Sequence, residues 1–449
     1  LAPLPPSVAP PFAGSPSGAP PYSHPPVATQ PPSAHPPVVQ TQPPAHVPPG
    51  ASPIQARPPR VETAAGAAAA ARGASVLVRI IITIVSILTV GAVVTGTTLI
   101  IRQKNGTPIT STIIQTQPSQ QNTPPVSQTS KIIYFGSLDH TVYAVDKNDK
   151  ALQWAFQTND AIYSSPYVFN GVVYIGSNDH NLYALNANTG VLIWKFTTGG
   201  EVFSSPIVAN GVVYVGSWDY NVYAINASTG ALVWKFLTNN VVSSSPAVAN
   251  GIVYIGSDDG NLYALNTSSG ASLWHFQTGA SVYSNPTVLN SVIYFGSRDY
   301  NVYALNLDGS LKWKFLTGST IFASPVVANN VVYIGSDDHN FYAIDAESGA
   351  IIWKIPDQEG GFSPARVAGN LVFVGSGDHN FYALHTSDGS IAWQYLAGNS
   401  VIAQPLVVGN VVFVGSDDGS VYSFNASNGT LIWQFQTQGI VHSSPAIGP

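Results

Sequence analysis

The chain has 449 residues, a formal net charge of −6, 35 prolines, and neither cysteine nor methionine. The missing cysteine excludes disulfides, thiolate metal centres and cysteine nucleophiles. Charge is split, +5 over residues 1–130 and −11 over 131–449, so the C-terminal part is no phosphate-neutralising surface and nucleic acid is not an expected partner.

Residues 1–60 hold 21 prolines and only two charges, Arg57 and Arg60. A segment this poor in apolar side chains cannot bury a core, so residues 1–75 are read as a disordered Pro/Ala-rich arm. Its PxxP spacings suit the grooves that read polyproline helices, although a plain spacer has the same composition. A chain that opens on Leu1 with no methionine is read as a piece of a longer protein.

From Ile80 to Ile101 run 22 residues without a charge, flanked by Arg79 on one side and by Arg102 and Lys104 on the other. As a helix the run would extend ~33 Å, enough for the ~30 Å hydrocarbon core. Residues 76–104 are therefore predicted to be a single transmembrane helix with snorkelling basic ends, its core at 80–101. Arg60, Arg72 and Arg79 outnumber Arg102 and Lys104, which points the N-terminal arm to the cytoplasm and the rest outside. Residues 105–130, rich in Thr, Gln and Pro, read as a flexible stalk.

Between 131 and 449 one unit recurs eight times: an apolar run, Gly-Ser-x-Asp, a Tyr-Ala-aliphatic run, a turn and a Trp. The tryptophans are Trp154, Trp194, Trp234, Trp274, Trp313, Trp353, Trp393 and Trp433, spaced by 40 residues with one step of 39. A period of ~40 with four strand-like segments per unit predicts an all-β, eight-bladed β-propeller of four-stranded antiparallel blades. In one unit the first strand is expected from Ser205 to Ala209, followed by an Asn210-Gly211 hairpin of type I′. The others are expected at Val212–Gly216, Asn221–Asn226 and Ala231–Phe236. The first unit starts at its second strand, Lys131 to Ser137, and the chain ends on an orphan first strand, Ser443 to Gly448. The C-terminal segment should then complete the first blade and leave no free sheet edge at the join.

The repeat Tyr-Ala-(Leu/Ile)-(Asn/Asp)-x-x-x-Gly-x-x-x-Trp, as in Tyr183-Ala184-Leu185-Asn186 through Gly190 to Trp194, resembles the pyrroloquinoline-quinone-type (PQQ-like) propeller repeat. The likeness spans essentially all of 131–449. It departs at the fifth repeat, one residue shorter over 305–313, and at His385, where Asn or Asp is usual. The resemblance implies two classes of function. One is a quinone-dependent dehydrogenase, holding PQQ with calcium or a lanthanide under long inserted loops and commonly a vicinal disulfide. The other is a binding scaffold: periplasmic outer-membrane assembly proteins, or the extracellular part of bacterial membrane receptor Ser/Thr kinases. Without cysteine or long insertions, no cofactor is expected and this fragment is read as no enzyme. The order of Pro-rich arm, span, stalk and propeller resembles the receptor layout with the kinase removed.

Candidate chemistry concentrates in the Gly-Ser-x-Asp turns. The eight aspartates Asp139, Asp179, Asp219, Asp259, Asp299, Asp338, Asp378 and Asp418 suit local capping of backbone N–H groups better than a shared ion. His140, His180, His339 and His379 follow four of them, and a paired metal site needs a third ligand that is not evident. No Gly-x-Ser-x-Gly, phosphate loop or His-Glu-x-x-His occurs. Glycosylation sequons at Asn105, Asn226, Asn266, Asn425 and Asn428 mostly fall in a repeated turn. Specificity is expected where the frame varies, and Trp218, Tyr220, Arg298 and Tyr300 form the candidate ligand face, being residue types enriched in binding hot spots. The overall expectation is a membrane-anchored extracytoplasmic propeller that binds a protein, cell-wall or small ligand as part of a signalling protein. The alternatives are a passive envelope-assembly scaffold and the quinone enzyme.

Overall fold

The computed structural model describes residues 131–357 and 360–448 in full. Upstream it gives only the backbone of five short strands between 82 and 113. Otherwise the Pro-rich arm 1–75, the helix read over 76–104 and the stalk 105–130 lie outside the described residues. No helix among the described residues is long and apolar enough to cross a membrane.

Residues 131–448 form eight four-stranded antiparallel sheets, in each of which the strands lie in sequence order from the inside outwards, except where the chain's end supplies the innermost one. In blade 3 the strands are Ile207–Ala209, Val212–Gly216, Asn221–Asn226 and Leu232–Leu237. Asn210 and Gly211 both have positive φ, 51° and 75°, as a type I′ hairpin requires. The first strand begins at Ile207 rather than Ser205. Ser204 gives its carbonyl to Ser164 and its hydroxyl to the Gly216 N–H, Ser205 bonds to both neighbouring blades, and Pro206 has no N–H to give a ladder. The two middle strands are almost wholly buried between adjacent sheets, whereas the outer strand buries its Trp and exposes alternate residues. Lys195, Lys235, Lys314 and Lys354 stand on these outer edges, where charge discourages pairing with another chain.

Three repeated interactions join the blades. Each Trp donates its indole N–H to a carbonyl of the next blade: Trp154 to Ala187 at 2.8 Å, Trp194 to Ala227 at 2.9 Å, and so on round to Trp433, which reaches Lys147 at 2.9 Å. The glycine of the repeat sits under the preceding blade's indole. A Cβ on Gly230 would lie 2.8 Å from Trp194, and its φ of +71° is itself left-handed, so both sterics and backbone demand glycine there.

The second interaction belongs to the aspartates, which the structure keeps apart as turn residues, one per blade. Asp219 accepts the Asn221 N–H at 3.0 Å and the Tyr223 hydroxyl at 2.6 Å within its own blade. It also accepts the Gly199 N–H at 2.6 Å from the link arriving from blade 2. Burial pushes the Asp219 carboxyl up, but the Tyr223 hydroxyl and these N–H groups outweigh it and hold it below the ordinary range. Asp179, Asp299, Asp338 and Asp418 are held down in the same way.

The third is a collar of hydrogen bonds at the axial ends of the links. Ser165 N–H donates to Ser205 Oγ, Ser205 N–H to Ser245 Oγ, Ser245 N–H to Asn285 Oδ1 and Asn285 N–H to Ser324 Oγ. Gln404 N–H continues to Ser444 Oγ, and Ser444 N–H returns to Ser165 Oγ. Pro364 occupies this position in blade 7, where it can donate no N–H to the collar.

Ring closure follows the sequence expectation. Ala446–Ile447 pairs antiparallel with Ile132–Gly136, placing Ala446 opposite Tyr134 and Ile447 opposite Ile133. Ser443 Oγ accepts the Gly136 N–H at 3.0 Å.

The two departures from the repeat have local consequences only. In blades 1, 2, 3 and 5 the second-strand tyrosine donates its hydroxyl to the carbonyl that also receives the Trp. Against the shortened fifth repeat, Trp274 keeps its bond to Leu307 at 3.0 Å, while the buried Tyr254 hydroxyl has no partner. At His385 the usual Asn acceptor is absent, and Asp388 accepts the Ser390 N–H at 3.0 Å, as Thr229 Oγ1 accepts the Ala231 N–H in blade 3.

Two outcomes follow. D219N replaces a carboxylate that accepts four hydrogen bonds by an amide, and denaturant unfolding at pH 7 should show a loss of about 1–3 kcal/mol. Because the folded carboxyl titrates below its unfolded value, that loss is complete above about pH 4 and should narrow as pH falls further. Removal of Ser443–Pro449 leaves Ile132–Gly136 without its inner partner and opens the ring. It should lower the melting temperature far more than the removal of seven exposed residues would, as read by calorimetry.

Candidate functional site

The x residue of each Gly-Ser-x-Asp turn is tied by its backbone to the link entering that blade. Trp218 N–H donates to Glu201 O at 2.9 Å and Arg298 N–H to Ser281 O at 3.0 Å, with the same bond at Leu138, Asn178, Asp258, Asp337, Gly377 and Asp417. The x side chains and the links therefore share one face and surround the mouth of the propeller axis. Most links carry one variable residue just before the serine or alanine that leads into the collar: Tyr163, Phe203, Ser243, Tyr283, Phe322, Ile402 and His442.

These two sets meet. Phe203 stacks on Tyr163 at 4.8 Å between ring centroids and on Trp218 at 5.9 Å. Across the small Ser243, Phe203 also meets Tyr283 edge-on at 5.9 Å. Tyr283 meets Phe322 at 5.5 Å, and the Arg298 guanidinium lies over the Phe322 ring at 5.0 Å. Trp218 and Arg298, two blades apart, are thus joined by a continuous run of half-buried aromatic rings.

Tyr220 and Tyr300 take no part in it. They occupy the left-handed corner of their turns, with φ of 72° and 75°, and stand 44% and 45% exposed. Their backbone carbonyls receive Thr238 and Thr317, so these positions serve the turn, as His140, His180, His339 and His379 do in their own blades. Of the expected ligand face, Trp218 and Arg298 stand at the two ends of this run of rings, two blades apart, and the two tyrosines lie outside it.

Carboxylates line the same mouth. Asp258 on blade 4 and Asp337 on blade 6 flank Arg298 on blade 5. Burial pushes the Asp258 carboxyl up to about 6 against the opposing pull of Arg298. Burial also raises Asp337, against the Thr320 hydroxyl, which donates to it at 2.5 Å, and against His339 and Arg298. On the opposite side His442 Nε2 lies 2.8 Å from Asp417, and its ring is 5.4 Å from that of Tyr163. Burial raises the Tyr163 hydroxyl, and Glu201, Asp417 and Asp160 raise it further. Glu201 is raised by burial and then by Asp160, with His180 opposing.

Four buried polar atoms on consecutive blades of this mouth have no hydrogen-bond partner in the protein: Asn178 Oδ1, Trp218 Nε1, Ser243 Oγ and Asp258 Oδ1. Ser243 as a whole is only 4% exposed. Buried polar atoms are nearly always satisfied, so these four, within three consecutive blades, have bonding capacity that the blade frame does not use.

Two of the four turn histidines weighed for a metal site face an aspartate. His140 lies 4.0 Å from Asp160 and His339 lies 3.2 Å from Asp357. Among the described residues no three acidic, histidine or cysteine side chains gather as a metal centre would need. Asn226, Asn266 and Asn425 use their side-chain oxygens to accept turn N–H groups, which accounts for those sequons structurally. The link residues Tyr163, Phe203, Tyr283, Phe322, Ser243 and His442 were missed by the sequence reading. Their signal was the variable position beside a repeated Ser-Ser-Pro, overlooked because that tripeptide is read as strand.

Asp258 provides a direct check of the electrostatics. Its folded carboxyl titrates above its unfolded value, so the fold bears a penalty that grows as pH rises from about 4 to about 6 and is constant above. D258N should be more stable than the parent chain at pH 7.5, by an amount on the order of 1–3 kcal/mol, and equal to it near pH 3.5. Paired thermal melts at the two pH values read this.

Comparisons agree with the architecture. The family model described as the beta-alanine-activating enzyme beta-propeller matches residues 87–331, more than half of the chain. That of the outer membrane protein assembly factor BamB matches residues 343–448. No curated protein sequence matches. Among solved structures, BamB from Moraxella catarrhalis is 20% identical, with 69% of this chain and 96% of that one covered and a TM-score of 0.58. A quinohemoprotein alcohol dehydrogenase from Comamonas testosteroni is 15% identical, covering 73% and 72%, with a TM-score of 0.57. The computationally designed Ika8 protein is 14% identical, covering 68% and 96%, with a TM-score of 0.58. At these identities the solved structures share the fold alone. On the family match and the repeats together, the chain belongs to the beta-alanine-activating enzyme beta-propeller family and is a PQQ-like repeat β-propeller.

Proposed function

We propose that this propeller is a binding module whose ligand face is the axial mouth, displayed outside the cell by the charge-free run 80–101 and belonging to a larger signalling protein. The observation that carries the binding role is the cluster of unpartnered buried atoms, Asn178 Oδ1, Trp218 Nε1, Ser243 Oγ and Asp258 Oδ1. They break the repeat symmetry on one arc of the mouth, beside a platform of rings. A residue that only built the blade would recur in every blade, as the Trp and Asp do. Membrane display and the signalling link rest on the hydropathy of 80–101, its basic flanks and the receptor-like order of segments. An upstream kinase with the Pro-rich arm inside the cell fits that order.

A quinone enzyme suits the mouth poorly. Pyrroloquinoline quinone is a tricarboxylate, and Arg298 is the one arginine or lysine among the x residues, where it faces Asp258 and Asp337. Asp417 adds a further negative charge. An envelope-assembly scaffold is the second reading, favoured by the BamB family match over 343–448. A scaffold of that kind would bind a protein partner and give no signalling output.

Two measurements test the reading. A thermal-shift survey of envelope extracts and small-molecule pools should yield a ligand that raises the melting temperature, as any native-state ligand must. The shift should vanish in W218A and in R298A and persist in Y300A. Stabilisation by pyrroloquinoline quinone with calcium, accompanied by a new absorbance band, would replace the binding reading with the enzyme. Carbonate extraction of membranes should leave the full chain in the pellet and release a variant lacking 80–101. Release of both would remove the membrane anchor from the proposal.

A further inference from the structure

We infer that the axial mouth recognises an organic cation, an ammonium group seated against the Tyr163–Phe203–Trp218 platform between Asp160, Glu201 and Asp417. This rests on the axial mouth being the ligand face and adds the chemical class of what binds there.

The platform consists of three half-buried rings in one stack, Tyr163 on Phe203 and Phe203 on Trp218. The face of an aromatic ring is the negative end of its quadrupole, and a cation within about 6 Å of the centroid is attracted to it. The protein already uses this interaction elsewhere on the mouth, where Arg298 lies over Phe322 at 5.0 Å. Among the described residues no lysine or arginine lies over the Tyr163, Phe203 or Trp218 ring, and the basic side chain in ring contact there is His442, 5.4 Å from Tyr163. The charges acting on the Tyr163 hydroxyl are Glu201, Asp417 and Asp160, all negative. Glu201 has Asp160 as its repelling neighbour and only His180 opposing. Asp417 already faces His442 at 2.8 Å and Asp160 faces His140 at 4.0 Å, so Glu201, opposed only by His180, is the carboxylate with most to gain from a bound cation.

Two further features select an organic cation over a metal ion. Among the described residues, no three carboxylates or histidines converge closely enough to coordinate a metal. The adjoining unpartnered atoms, Ser243 Oγ in a residue 4% exposed and Trp218 Nε1, are an alcohol and an N–H donor. They suit a hydroxyl or carbonyl carried on the same ligand, whereas an indole N–H cannot serve a metal ion. An amine or quaternary ammonium bearing a nearby oxygen satisfies the rings, the carboxylates and the orphan groups together. That chemistry is found both in small molecules of the choline type and in a lysine side chain followed by its backbone carbonyl.

The test uses the full chain in a maltoside detergent, which carries no ammonium group, with choline as the probe in equilibrium dialysis. Saturable choline binding is expected, displaced by tetramethylammonium and not by 3,3-dimethylbutanol, the neutral isostere of choline. E201Q and W218A should each weaken it about 5- to 30-fold, while Y300A, outside the run of rings, leaves it unchanged. E201Q keeps the shape of the side chain, so its effect stands even if W218A folds poorly. Competition by acetyl-Gly-Lys-Gly-amide more effective than by tetramethylammonium would identify a protein lysine as the source, and the reverse order a small amine. Absence of saturable binding at about 10 mM choline, equal displacement by the neutral isostere, or calcium binding at this site in place of choline would overturn the inference. A neutral or anionic ligand bound in a Trp218-dependent way would overturn the cationic class while leaving the axial mouth as the ligand face.

Discussion

Everything in this fold depends on the seam between one blade and the next. A four-stranded sheet this small has two apolar faces and cannot bury either by itself, so each blade is stable only against its neighbours. The indole of the repeat covers that seam and spends its single N–H on the far side of it, from Trp154 to Ala187 onward until Trp433 returns to Lys147. The aspartate of the following blade ties down the link that crosses the same seam, as Asp219 does for Gly199. The seam thus has an apolar centre and a hydrogen bond at either end, and its eightfold repetition sets the geometry of the whole ring.

Because that frame is repeated so closely, the asymmetry of the molecule is confined to positions the frame does not use. The x residue of the turn gives its backbone to the link and leaves its side chain uncommitted. The residue before the collar is likewise held by its neighbours and free in identity. The propeller brings these two positions side by side at the axis eight times over. On one arc they carry Tyr163, Phe203 and Trp218 with Asp160, Glu201 and Asp417. On another they carry Phe322 and Arg298 between Asp258 and Asp337. A regular scaffold with an irregular mouth is what a binding protein of this architecture needs, since the contacts that stabilise it are separate from those that select a ligand.

The sequence reading succeeded where a role follows from position within the repeat and failed where it depends on which side chains of different blades meet. Asn210-Gly211 was legible as a hairpin because two left-handed residues in a row leave little choice of turn. Closure by the C-terminal segment was legible from the register of the first and last repeats, and Ala446 pairs with Tyr134 as that register requires. The aspartates were legible as turn residues, but their bond to the preceding blade was not, since Asp219 and Gly199 are twenty positions apart with nothing in composition to link them. Tyr220 and Tyr300 looked like ligand contacts because they are aromatic and adjacent to the variable position. At those corners the backbone is left-handed and the two side chains are 44% and 45% exposed, outside the run of rings.

By itself the sequence determined the repeat, the number of blades, the strand order and the manner of closure, because all four follow from periodicity and the alternation of apolar residues along a strand. It also determined the charge asymmetry and the apolar run at 80–101, which are properties of composition. Only the tertiary structure decided which variable residues converge. Tyr163, Phe203 and Trp218 come from two links and a turn, 40 and 15 positions apart in the chain, and meet because sheets stacked about an axis bring equivalent positions of adjacent blades together. Convergence of that kind depends on the angle between one blade and the next, a quantity fixed by side-chain packing at the seam rather than by any pattern within a repeat.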